Sequence, residues 1–369
     1  MKTSYSDLRR QVGQLMMVGF EGSEATPHVQ NVLRGIQPGG VILFARNIQT
    51  APQCYSLLAE CRKTTDVPIF TCVDLEGGTV DRLREVIAHA PSEEEVSHTG
   101  SKKLFRKHGA LLGTEARALG FNVDFAPVSD LGYESARPVL GSRTVSPDPE
   151  ETITFVHEFL AGMKSAGVLG CGKHFPGLGE STLDSHHHLP VIHKSWERLW
   201  AEDLLPYRKL HKQFPFAMVA HCAYPAVTGD STPASLSKEW IMEILKKRIG
   251  FRGIALADDM EMGGVLAAES IDRAAVETVR AGSDMYLVCR KEEFILICFE
   301  AVLREAERDH KFAAMVAAAA QHVIRFKKAA RELRSVALAP TEKTVQKLRK
   351  AMEDFKREVE KANAARQAS

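Results

Sequence analysis

Eight short apolar runs, separated by stretches of helical period, constrain what this chain can fold into more than any other feature. They are Gln14–Phe20, Gly40–Ala45, Ile69–Asp74, Asn122–Ala126, Val168–Lys173, Phe216–His221, Gly253–Asp258 and Met285–Cys289. Most are apolar throughout instead of alternating, the pattern of parallel strands covered on both faces. Between them, Ile153, Val156, Phe159, Leu160 and Met163 recur at spacings of three and four, one face of a helix over 151–166. Residues 102–119, 196–213 and 238–249 carry similar patterns. Eight strand–helix units predict an α/β chain closed as a (β/α)8 TIM-like barrel. A doubly wound open sheet is the alternative, but eight units over 369 residues favour closure.

A single barrel domain accounts for residues 1–340, with Phe312–Arg334 as its closing helix. Residues 341–369 form a charged helical extension in which Leu348, Met352, Phe355 and Val359 supply one apolar residue per turn. Such a helix packs against the barrel, or serves a partner or a second copy.

Composition excludes several classes. At 44% hydrophobic residues the chain is not globally disordered. The 48 Lys and Arg against 47 Asp and Glu leave a net charge of +1, with no electrostatic footprint for nucleic acid. No apolar run approaches the roughly 20 residues of a membrane span. The N-terminal MKTSYSDLRRQ has no apolar core of a secretory signal. Seven cysteines, with Cys72, Cys171, Cys222 and Cys289 inside apolar runs, read as reduced, buried thiols of a cytoplasmic protein.

The joints point to an enzyme. Helix-to-strand joints are short and marked by Gly120, Gly167, Gly250, Gly253 and Gly282, whereas the strand-to-helix joints 75–101, 127–149 and 175–195 are long. In a barrel those long loops gather at the C-terminal face of the strands, where active sites lie.

Within them, KHFPGLGESTLDSHHHLP (173–190) is the densest stretch. Asp184 and His186 are two apart on a loop, a spacing that lets a carboxylate hold the imidazole N–H and raise its basicity for acid/base work. The three consecutive histidines also fit a metal cluster or a solvated polar loop. Asp258 ends the seventh run, where a carboxylate points into a barrel pocket; the alternative is a helix cap, for which Asp259 is better placed. Asp74 and Arg82 flank a glycine turn and either bind sugar hydroxyls or pair with each other. Arg143 is ambiguous alone. Lys173 ends a buried strand and needs a partner or a ligand, as does His174 beside it. His221 reads more readily as a packed, hydrogen-bonded histidine.

Taken together, VDLEGGTVDRL, GSRTV, KHFPGLGESTLDSH, MVAHCAYPAV, PASLS and ADDMEM resemble, in order and spacing, glycoside hydrolase family 3. They look most like its single-domain bacterial β-N-acetylglucosaminidases (β-hexosaminidases, NagZ type) of peptidoglycan recycling, over roughly residues 8–335. The resemblance implies a retaining mechanism with no metal or cofactor and an N-acetylglucosamine-containing saccharide as substrate. It implies Asp258 as nucleophile, His186 as acid/base assisted by Asp184, and Asp74, Arg82, Arg143, Lys173 and His174 as sugar-binding residues. Thr79, Leu178 and Ala257 depart from the family pattern without removing a catalytic group. Two rivals stand beside this reading. One is a non-catalytic sugar-binding relic. The other is a metal-dependent barrel hydrolase using Lys173, His174, His221 and Asp258, which lacks the usual H-x-H pair after the first strand.

Overall fold

The computed structural model describes residues 5–368. The reading of MKTSYSDLRRQ rests in part on residues 1–4, which, like Ser369, lie outside the described residues. Each of the eight apolar runs contributes one strand: β1 Met16–Val18, β2 Gly40–Ile42, β3 Phe70–Val73, β4 Val123–Asp124, β5 Cys171–Phe175, β6 Phe216–Val219, β7 Ile254–Asp259 and β8 Met285–Val288. They pair in the order β4-β3-β2-β1-β8-β7-β6-β5, every pair parallel. Between β4 and β5 the ladder is reduced to bridges. There the Asp124 N–H donates to the Leu169 carbonyl (2.9 Å), that of Cys171 to Ala126 (2.8 Å) and that of Ser129 to Lys173 (2.6 Å). These bridges leave a nearly closed TIM-like barrel.

Side chains alternate along the strands, except in β5, where a register shift between Gly172 and Phe175 puts Cys171 inside and Phe175 outside. Ile254 and Leu256 point into the barrel with Met17, Ile42, Phe70, Phe125, Phe216 and Leu287. Ala255 and Ala257 point outward to the helices and are small enough to let them approach. Burying each large apolar side chain contributes about 1.5–3 kcal/mol, so this interior is the main source of stability. At the N-terminal end the closing helix, His310–Ala329, plugs the barrel. Phe326 packs on Phe70 and Phe216, and Lys327 Nζ sits 5.0 Å over the Phe70 ring while donating to Gln14 Oε1 at 2.9 Å. Burial pushes the Lys327 ammonium down to about 7.

Two expected elements differ. β5 lies at 171–175, shifted C-terminally from its apolar run, because Lys173 and His174 continue the strand through ion pairs. The 196–213 stretch forms two helices, Trp196–Ala201 and Leu205–Leu210. Pro206 has no N–H to continue the first and so starts the second.

Outside the barrel, helix Lys102–Ala118 packs closely on helix Pro149–Ala166. A Cβ at Gly109 would meet the Phe159 carbonyl at 2.1 Å, and one at Gly162 the Arg106 carbonyl at 2.1 Å. The C-terminal helix, Glu342–Gln367, buries Val345, Leu348, Met352, Phe355 and Val359 against this layer. Its Phe355 ring stacks on His108 (5.6 Å), Arg349 Nε donates to the Ile87 carbonyl (2.8 Å) and Asn363 Nδ2 to the Glu95 carbonyl (2.8 Å). The helix therefore braces the long loop that follows β3. All seven cysteines are free and buried, and no described helix is long and apolar enough to cross a membrane.

Candidate active site

The long loops meet at the C-terminal ends of the strands and enclose one pocket. Asp74, Arg82, Arg143, Lys173, His174, His186 and Asp258 all line it. Asp184 stands behind His186 instead, and His221 is not on the wall. A larger cleft of about 820 Å³, between the C-terminal helix and the 132–154 segment, contains none of these side chains.

Glu76 organises one side of the pocket. It follows β3 in the hairpin formed by Leu75–Gly77 and Val80–Asp81, and its side chain is 1% exposed. Gly77 (φ 84°) makes the turn possible, since a Cβ there would lie 2.2 Å from the Pro91 carbonyl. Arg143 Nε and Nη2 donate to the Glu76 carboxylate at 2.8 and 2.9 Å, and Lys173 Nζ reaches it at 2.5 Å. Lys173 Nζ also contacts Asp74 Oδ1 at 3.0 Å. Burial alone would raise the Glu76 carboxyl, but Arg143 and Lys173 outweigh it and hold it at about 2. For Lys173 the balance is the mirror image: burial pulls the ammonium down, and Asp74 and Glu76 more than restore it. Both cations therefore stay charged in a water-poor site. Arg82 adds a third, its Nε buried without a protein partner and its guanidinium 6.0 Å over the Phe44 ring.

Asp130 organises another side. Its Oδ2 accepts from His174 Nδ1 (2.7 Å) and from the His174 backbone N–H (3.1 Å), and its Oδ1 accepts from the Leu178 N–H (2.7 Å). The imidazole is thereby fixed with Nδ1 turned away from the pocket.

Asp258 and His186 complete the constellation from opposite supports. Asp258 is carried by β7, and its Oδ1 accepts from the Asp259 N–H at 2.8 Å. Burial would raise its carboxyl, but His174, His221, that N–H and His186 together hold it below the usual range, so it is an anion at neutral pH. His186 sits on the 175–195 loop with its side chain 64% exposed. Asp184 Oδ1 accepts both the His186 backbone N–H (2.9 Å) and its Nδ1 (2.7 Å), leaving Nε2 toward the pocket. Burial raises the Asp184 carboxyl, while the hydrogen bonds from His186 more than offset this and lower it.

His221 is fully buried, bonded to Ser235 Oγ (2.7 Å) and the Asp259 carbonyl (2.9 Å), as a packed histidine. Asp259 does not cap the next helix, which begins at Gly263 after Met262; it accepts from the N–H groups of Glu261 and Cys289. Among the described residues, no three His, Cys, Asp or Glu side chains converge as a metal ion requires. Sequence reasoning missed Glu76 and Asp130, which stand in mixed stretches, VDLEGGTVD and APVSDLGYES, where nothing local sets them apart.

Comparison with known proteins decides the family. Residues 7–326 match the Glycosyl hydrolase family 3 N terminal domain. The chain belongs to glycoside hydrolase family 3. This family member, a glycosidase, is 35% identical over 275 residues to a beta-hexosaminidase of Pseudomonas aeruginosa, covering 74% of this chain and 82% of that one. Its fold superposes on a family 3 beta-N-acetylglucosaminidase from Paenibacillus with a TM-score of 0.88 and 29% identity, over 94% of this chain and 68% of that one. NagZ from Neisseria gonorrhoeae superposes with a TM-score of 0.71 and 28% identity, over 84% and 97% of the two chains. The departures at Thr79, Leu178 and Ala257 all lie off the pocket wall.

Proposed function

We propose that this family 3 glycosidase is a retaining β-N-acetylglucosaminidase, removing terminal non-reducing N-acetylglucosamine from peptidoglycan-derived muropeptides or related oligosaccharides. The observation that carries this reading is the pairing of an ionised Asp258 on a strand end with a His186–Asp184 dyad across one pocket. Asp258 attacks the anomeric carbon while His186 Nε2 protonates the departing oxygen; the bond to that oxygen breaks and a covalent glycosyl-enzyme forms. His186, now neutral, takes a proton from water, which attacks the anomeric carbon and releases Asp258. This reversal of acid and base follows from microscopic reversibility. Asp184 steadies the imidazolium and fixes its tautomer. Asp74, Arg82, Arg143, Lys173 and His174 hold the sugar hydroxyls with charge-assisted hydrogen bonds, which are about twice as strong as neutral ones. No step calls for a metal or cofactor. The Pseudomonas and Neisseria relatives support the sugar, and seven free, buried thiols support a cytoplasmic setting.

The test is nitrophenol release from the β-N-acetylglucosaminide and the β-glucoside, with the first-formed anomer followed by NMR. Strong preference for the former and a β-anomer product are expected, both abolished in Asp258→Ala. An α-anomer product, or turnover of folded Asp258→Ala within about tenfold of the parent, overturns the nucleophile assignment; about one-hundredfold or more is the usual effect of losing a key catalytic group.

A further inference from the structure

The His186 loop barely touches the barrel that carries Asp258. From Thr182 to Leu189, its hydrogen bonds to segments beyond the loop are two among the described residues. The Gly263 N–H donates to the His186 carbonyl and the Gly264 N–H to the Ser185 carbonyl, each at 2.9 Å. The remaining bonds are internal: the His187 and His188 N–H groups donate to the Asp184 carbonyl, Ser181 Oγ donates to the Leu183 carbonyl, and Asp184 Oδ1 holds His186. Thr182, Leu183, His186, His187 and His188 are exposed, so apolar packing gives the turn little anchorage.

The two glycines do more than donate. A Cβ at Gly263 would lie 2.5 Å from the His187 carbonyl oxygen and 2.9 Å from that of His186, and its nearest neighbours all belong to the loop. A Cβ at Gly264 would meet the Ser185 and His188 carbonyls at 2.9 Å. Neither glycine has a positive φ. Their backbone therefore accepts any residue, and what requires glycine is the approach of the loop. Both follow Asp258 by a few residues, so whatever docks on them is registered against the nucleophile.

We propose that Gly263 and Gly264 form a backbone latch that holds the His186 turn over the pocket, and are positioning residues for the acid/base. The latch rests on the acid/base role proposed for His186. Substrate entry requires nothing of these amides, but the proton-transfer step requires the latch closed, because an imidazole displaced by even about 1 Å can cost about one-hundredfold in rate. Opening leaves Asp74, Lys173 and Arg143 in place, since Glu76 holds Lys173 and Arg143, and Lys173 in turn pairs with Asp74.

Gly263→Ala is the direct test, since alanine suits the helical backbone at this position better than glycine and the three atoms nearest its Cβ all belong to the loop. kcat/KM is measured for wild type, Gly263→Ala and His186→Ala on aryl N-acetylglucosaminides of graded leaving-group pKa. Gly263→Ala is expected to lose about 10- to 100-fold on the poorest leaving group and to stay near wild type on the dinitrophenyl substrate, the steeper dependence expected of a misplaced acid. Inhibition by free N-acetylglucosamine should be unchanged, which general damage to the pocket would not allow. Amide hydrogen exchange of the wild-type protein supplies the second measurement, with Gly263 and Gly264 expected to be protected.

A steep dependence in His186→Ala with a wild-type dependence in folded Gly263→Ala overturns the latch alone. A wild-type dependence in His186→Ala removes the acid/base reading and the purpose of the latch with it. Should Gly263→Ala not fold, exchange decides. Rapid exchange at both glycines in the wild-type protein, as fast as in exposed loops, shows the latch open and overturns the proposal.

Discussion

Glu76 and Arg143 form a two-pronged ion pair inside the pocket, at 2.8 and 2.9 Å, with the carboxylate 1% exposed and Lys173 on the same oxygen pair. Two residues proposed to bind the sugar, Arg143 and Lys173, thus depend on one carboxylate. Glu76→Gln keeps the shape but leaves two buried cations short of a counter-charge. Breaking a buried pair typically costs about 3–5 kcal/mol. We expect a clear fall in melting temperature and at least about a tenfold rise in KM, since charged donors lose their aim. Unchanged KM in the folded variant would show that Arg143 and Lys173 do not need Glu76.

The same residue fixes a limb of the pH–stability profile. The Glu76 carboxyl titrates near 4.5 in its unperturbed state and near 2 in the fold. Its folded value is depressed, so its contribution is complete above about pH 4.5 and is lost as pH falls toward about 2. Denaturant titrations between those limits should show a shallower acid limb for Glu76→Gln than for wild type. Parallel limbs would contradict the assignment.

The acid/base role proposed for His186 predicts chemical rescue. In His186→Ala, deglycosylation lacks its base, so an activated aryl substrate should load the enzyme and leave the intermediate waiting for water. Azide needs no base. It should restore turnover and give a β-azide product, against a loss of about 10²–10⁴-fold without it. Asp184→Ala should show a milder version, because the imidazole survives without its orienting partner. Absence of both rescue and azide product would return the histidine run to a structural role.

Lys327 predicts a stability gain. An unperturbed lysine titrates near 10.5, whereas burial lowers Lys327 to about 7. Between those values the unfolded chain binds more protons, so this group makes stability rise with pH and fall as pH drops toward 7. Lys327→Met should remove that slope and raise stability most near pH 7, since replacing a buried charge with a packed apolar side chain is often stabilising. Difference profiles from urea melts across this range check it; a flat difference refutes the burial effect.

The C-terminal helix predicts a loss on truncation. Deleting residues 341–369 exposes the surface covered by Val345, Leu348, Met352, Phe355 and Val359 and removes the Arg349 and Asn363 bonds to the loop after β3. With about 1.5–3 kcal/mol per buried side chain, several kcal/mol should go, read as a lower melting temperature. KM should rise as well, because that loop follows the Glu76 hairpin. A truncated chain with unchanged melting and kinetics would make the helix a passive appendage.

The barrel was legible in the sequence because strands buried on both faces are written in apolar residues, and each of the eight runs overlaps a strand. β5 was misplaced for the same reason: its end is made of Lys173 and His174, whose burial depends on partners 99 and 44 residues away in the chain. Hydrophobicity cannot report such a bargain between distant charges. The residues converging on the pocket were legible as chemistry-bearing side chains at strand ends and in the long loops that follow them. Glu76 and Asp130 were not, because their role is carried out on other side chains. The two-helix break at Glu202–Leu204 turns on Pro206 together with the Lys194 pairs to Glu202 and Asp203, of which only the proline is visible locally.

The bridged seam between β4 and β5 has a consequence for assembly. One lip continues into Ser129 and Asp130 and the other ends in Lys173 and His174; the Ser129 amide meets the Lys173 carbonyl, and Asp130 grips His174. The last stitch that turns a curved sheet into a cylinder is therefore also the stitch that brings the pocket-lining histidine and lysine into register. A chain with seven ladders zipped and this one open would be a nearly complete fold without a finished pocket, so catalytic competence should appear only with the final closure and serve as its reporter.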